Sequence, residues 1–206
     1  MEGGAALLVG MGFESSVFTC STVTDNAGNV YQRAVACPNP KPAAGAELWY
    51  ATNISSASTR VHATLSGASS GSIAVGQFRG VSTANAILST VSGAITANST
   101  VHSLPEITPS SANALVAAFY RCHASTMSPT AVDGGFSQWV TTGGAVRTMG
   151  LYLIQGAAST ATAQWRTNAA TSSGGVQHAG VMAAFSDTQF LLPSGGNPSL
   201  TLTGVM

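Results

Sequence analysis

Gly67-Ala68-Ser69-Ser70-Gly71 satisfies the Gly-x-Ser-x-Gly pattern of a hydrolase nucleophile elbow. Such an elbow needs a sharp strand-to-helix turn of a parallel sheet, which exposes the serine hydroxyl beside a base. Here the pattern falls in a Ser/Gly-rich stretch between two short strand candidates, and a solvated loop is the expected reading. His62, His102, His123 and His178 share no ligand spacing, and the cysteines complete no zinc pattern with them. Cys122 and His123 are neighbours on a strand candidate, so their side chains would point to opposite faces. The carboxylates Glu2, Glu14, Asp25, Glu47, Glu106, Asp133 and Asp187 are isolated from one another, which offers no pair for sugar hydrolysis. Asp25 with Asn26 and Asn29 has oxygens enough for weak calcium binding, yet an Asx turn explains the same residues with fewer assumptions. No catalytic residue, metal ligand or cofactor is therefore expected.

Aromatic rings are the other chemistry on offer, because β-sandwiches bind sugars by stacking on exposed ones. Trp49, Tyr50 and Tyr152 sit in apolar mid-strand context and are expected in the core. Trp139 follows Gly134-Gly135-Phe136 and precedes Gly143-Gly144, which marks it as the loop-exposed ring and the candidate glycan-stacking residue.

The elements that must position these residues read as strands nearly throughout. Only 7% of the 206 residues are charged, against roughly 25% in an ordinary domain. Apolar residues reach 45%, enough for a core. Six arginines and one lysine, spread singly, exclude a phosphate-tracking nucleic-acid protein and a polybasic membrane patch. No run approaches the roughly 18 apolar residues of a membrane span. Glu2 in place of a basic segment, before a short apolar run, argues against a signal peptide, and synthesis in a cytoplasm is expected. Ala, Ser, Thr and Gly make up about half of the sequence, giving a neutral, hydroxyl-rich surface without charge-based protection against self-association.

Val17–Thr24 and Val30–Val35 are strand candidates around the turn Asp25-Asn26-Ala27-Gly28-Asn29, which predicts a hairpin. Cys20 and Cys37 flank it, within possible bonding reach, and Cys122 is left over; free buried thiols are the preferred reading. Leu48–Thr52, Arg60–Leu65 and Ser72–Phe78 are further strands. Four echoes run in the same order through both halves: Leu7-Leu8-Val9 with Ala114-Leu115-Val116, Leu48-Trp49-Tyr50 with Leu151-Tyr152-Leu153, Ala57-Ser58-Thr59 with Ala158-Ser159-Thr160, and Ile73–Phe78 with Gly180–Phe185. Either half is too small to bury both sheet faces alone, so an all-β, two-sheet antiparallel sandwich of jelly-roll type, built from two similar halves, is expected over residues 1–188. Val81 to Ser111 would be the crossover.

Thr22-Val23-Thr24-Asp25-Asn26-Ala27-Gly28-Asn29-Val30-Tyr31, Trp49-Tyr50-Ala51-Thr52-Asn53-Ile54 and Phe78-Arg79-Gly80-Val81 resemble motifs of β-sandwich modules found in bacterial secreted proteins and phage structural proteins. The resemblance covers residues 5–188 and implies a sandwich of particle or surface proteins, with no shared catalytic site. It departs at Phe78-Arg79, where the pattern has Ser for Arg, and at the tail.

That tail, 189–206, joins a Pro/Gly linker to Ser199-Leu200-Thr201-Leu202-Thr203-Gly204-Val205-Met206, whose alternation through Leu202 reads as a half-buried strand. A lone strand must pair with a sheet edge, and the linker reaches about 20 Å at roughly 3.3 Å per residue. Leu200, Leu202 and Val205 are thus the candidate residues of an assembly arm on a neighbouring subunit, with an edge strand in the same subunit as the alternative. The expected function is a non-enzymatic virion structural protein, a phage capsid decoration or tail-associated subunit, with itself and other virion proteins as partners and neither nucleic acid nor membrane. The alternative is a carbohydrate-binding or adhesin module with a surface glycan as partner.

Overall fold

A computed structural model describes residues 5–14, 19–37, 45–67, 70–95, 99–122, 129–142, 147–167, 178–186 and 199–200. The first half supplies β1 (Ala6–Phe13), β2 (Cys20–Asp25), β3 (Gln32–Cys37), β4 (Gly45–Ala51), β5 (Val61–Leu65), β6 (Gly71–Phe78) and β7 (Ile87–Ile95). The second supplies β8 (Val101–Ser103), β9 (Ala114–Cys122), β10 (Pro129–Asp133), β11 (Ser137–Thr142), β12 (Arg147–Gln155), β13 (Gln164–Thr167), β14 (His178–Ser186) and β15 (Ser199–Leu200).

Two five-stranded antiparallel sheets form the sandwich, ordered β15-β6-β1-β4-β3 and β11-β12-β9-β14-β7. Leu8, Leu48, Leu115, Phe119, Val181 and Phe185 fill the space between them, with alanines from β1, β4, β6, β9 and β14 in the gaps. The outer faces are covered as well. The β2–β5 ribbon closes over Leu7, Val9, Met11 and Trp49 of the first sheet, and the small sheet β10-β13-β8 closes over Val116, Ala118, Tyr120 and Met182 of the second. Burial on both faces is why β1, β9 and β14 read as unbroken apolar runs instead of alternating ones. Leu7, Val9, Val23, Leu48, Val75, Leu115 and Phe185 are buried, and Tyr31 and Leu153 are partly buried; of the three rings expected in the core, Trp49 is buried and Tyr50 and Tyr152 are partly buried.

The two halves repeat in space. β6-β1-β4-β3 has the same order as β14-β9-β12-β11, and each half builds its own main sheet instead of interleaving with the other as a jelly roll would. Only the trailing strands cross over: β7 joins the second half's β14, and β15 joins the first half's β6. Val81 to Ser111 is accordingly more than a crossover, since it carries an edge strand of the second sheet. One echo is out of register. Leu48 pairs with Gly10 and lies between the sheets, whereas Leu151 faces the outer layer, and Tyr152 takes the place equivalent to Leu48.

The expected hairpin around Asp25 does not form. β2 pairs with β5, and β3 pairs with β4. The turn's polar groups also bond to the 57–60 loop: Asn26 Oδ1 accepts from the Thr59 and Arg60 amides, and Ser58 Oγ donates to Asp25 Oδ2 at 2.7 Å. Cys20 and Cys37 therefore end on opposite faces of the first sheet, and all three cysteines are buried and outside any disulfide.

Candidate assembly surface

β6 is the edge to which the chain's end returns. Ser199 stands opposite Gly76 and Leu200 opposite Val75, antiparallel, within the one chain. Leu202 and Val205, the other arm residues, lie outside the described residues. Beside this edge, where β5 overhangs β1 and β6, opens a groove of about 130 Å³ lined mainly by Met11, Phe13, Val61, Leu65 and Ile73.

Trp139 is not the exposed ring expected from its flanking glycines. It is the extra residue of a bulge between Gln138 and Val140 of β11, and it turns inward between the sheets with 8% of its surface exposed. Its indole fills the space left by Gly76 and Gly150, where a β-carbon would overlap it, and Phe78 meets it edge-on at 6.0 Å. A buried ring cannot stack on a sugar.

The described carboxylates with resolved partners work as fixed structural acceptors. Asp25 takes the Ala27 and Asn29 amides on Oδ1, each at 3.0 Å, and the Asn29 amide nitrogen, Tyr31 hydroxyl and Ser58 hydroxyl on Oδ2. These donors outweigh its partial desolvation and hold its pKa at about 2. This is the Asx turn expected from sequence, and the donors occupy the oxygens a calcium ion would need. Glu47, 1% exposed, accepts from the Cys20 amide at 3.0 Å and Trp49 Nε1 at 2.7 Å. Burial first, and the Glu47 charge second, push the Cys20 thiol up to about 11, which leaves it an unreactive packing group. Arg121, buried between the sheets, donates to Glu14 Oε1 at 3.3 Å, and desolvation brings its pKa down to about 10.

A buried cluster under the small sheet was not anticipated. The rings of His102 and His178 lie 4.3 Å apart, His178 Nδ1 bonds to the Tyr120 hydroxyl, and Tyr120 stacks on Trp165 at 4.5 Å. His102 Nε2 meets Thr167 Oγ1 at 3.2 Å, and desolvation holds His102 below the ordinary histidine value. A search for ligand spacing overlooks this pair. The signal lay in strand position, since His178 heads the apolar run of β14 and His102 sits between Val101 and Leu104. Among the described residues no three His, Cys, Asp or Glu side chains converge. Ser69 and His123 lie outside the described residues, and no described helix is long and apolar enough to cross a membrane. No family model matches the sequence, and no curated protein or solved structure matches the chain.

Proposed function

We propose that this chain is a non-enzymatic structural subunit of a virus particle, a phage capsid decoration or tail-associated protein that assembles with copies of itself and with other virion proteins. The observation that carries the reading is the return of the chain's end to the β6 edge. A strand added to an exposed edge by a linker can be supplied by the same subunit or by its neighbour with the same contacts, so exchange costs little and ties subunits together. Twelve residues, 187–198, separate β14 from β15, a reach of up to about 40 Å at the extended-chain spacing. The neutral hydroxyl-rich surface, the sandwich fold and the resemblance to virion modules support the same class, made in a host cytoplasm and located in the particle. The carbohydrate-binding alternative loses Trp139, the ring on which it stood.

Native mass spectrometry of the purified chain at micromolar concentration tests the proposal. A discrete closed oligomer is expected. A strict monomer that binds glycans on an array would overturn it in favour of the adhesin reading.

A further inference from the structure

The groove beside β6 and the register of β15 together specify what fills that groove. β15 runs antiparallel to β6, so each residue after Leu200 moves one position along β6 toward Gly71. A continuation of the same ladder would set position 202 opposite Ile73 and position 204 opposite Gly71. Directly opposed residues on paired strands share a face. Val75 belongs to the outer-face core, with Leu7 and Val9, and Ile73 packs against that core. On that continued register, positions 200 and 202 would share the face on which the groove opens, and positions 201 and 203 the other. Ile73 and Gly71 themselves line the groove, with apolar walls from Met11, Phe13, Val61 and Leu65. An apolar cavity of about 150 Å³ lodges a benzene ring. A space of about 130 Å³ is thus on the scale of one branched aliphatic side chain.

The other half of the molecule carries a precedent. β7 runs nine residues along β14, and Leu88 and Val91 pack on the outer-face core of the second sheet. Thr201-Leu202-Thr203-Gly204-Val205-Met206 repeats the pattern Thr90-Val91-Ser92-Gly93-Ala94-Ile95. That alignment puts Leu202 at the place of Val91, whereas the ladder puts Leu200 there, because Val91 faces Met182 as Leu200 faces Val75. The two differ by two residues, so either register would set leucines on the outer face.

We infer that the groove between β5 and β6 is the binding site for the C-terminal residues 201–206, with the Leu202 side chain as its apolar occupant. The inference rests on the assembly reading only for whose chain end fills the groove, its own or a neighbour's. Two variants of the full chain test it, Ile73→Cys combined with Leu202→Cys and Ile73→Cys combined with Thr203→Cys, each exposed to a mild oxidant. Both share the substitution inside the fold and differ only at the chain's end. Near-complete disulfide formation is expected in the first, and at least tenfold slower formation in the second. Equal rates, or no disulfide in either, would overturn the inference. A bond within one chain or between two chains supports the groove equally. Bonds found only within monomers at every concentration would count against the assembly reading and leave the groove intact.

Discussion

Trp139 of β11 presses on the bare Cα of Gly76 of β6, across the gap between the two sheets: a β-carbon on Gly76 would lie 2.5 Å from the indole Cε3. The contact joins the first half of the chain to the second, and it explains both the glycine in a strand and the burial of the ring. Gly76→Ala is expected to cost about 1–3 kcal/mol in chemical denaturation, the usual penalty for overpacking a filled core. Trp139→Phe combined with Gly76→Ala should recover part of that loss, because the smaller ring leaves room for the methyl group. Strictly additive effects in the double-mutant cycle would show that the two residues do not share this space.

Phe185 is fully buried between the sheets and meets the Tyr50 ring edge-on at 5.5 Å. Its truncation to alanine should cost about 3–5 kcal/mol, since neighbours held by two ladders collapse poorly into the cavity. Urea titration followed by tryptophan fluorescence measures this directly.

Core positions such as Leu48 and Phe185 were legible in the sequence because apolar strand runs bury whichever way they pair. Pairing itself was less legible. Asp25 and Gly28 correctly mark a turn, with Gly28 at φ 75°, but the polar groups of that turn find partners at 57–60, some 30 residues downstream. Trp139 was misplaced because a bulge, invisible to a period-two reading, reverses the face of one residue. The His102–His178 stack joins β8 to β14, and only the tertiary fold brings them together.

Two pH dependences follow from opposite perturbations. The folded pKa of Asp25 is depressed to about 2, so its contribution to stability is complete above the unfolded value near 4 and disappears as pH falls toward 2. Asp25→Asn should flatten this part of the acid unfolding curve.

His102 is a base whose folded pKa lies below the ordinary 6.5, so the unfolded chain takes up a proton that the folded chain refuses. Stability should therefore fall as pH drops below about 6.5 and level off below the folded pKa. The rings of His178 and Tyr120 and the hydroxyl of Thr167 face His102. His102→Gln should remove the slope below about pH 6.5 while keeping a donor for Thr167. An unchanged slope would assign it to another group.

Ser69→Ala should leave stability and any esterase background unchanged, because the serine falls in a Ser/Gly-rich stretch of the sequence with no base assigned to it. Hydrolysis of a p-nitrophenyl ester that vanishes with this substitution alone would contradict the non-enzymatic reading.

Sedimentation velocity of the full chain beside a chain ending at residue 188 tests the central claim most directly. The full chain should sediment as one discrete oligomer, and the shortened chain as a folded monomer with an unchanged β-sheet circular-dichroism spectrum. The same oligomer from both chains, a full chain that stays monomeric at every concentration, or outright unfolding of the shortened chain would contradict an assembly tied by the chain's end.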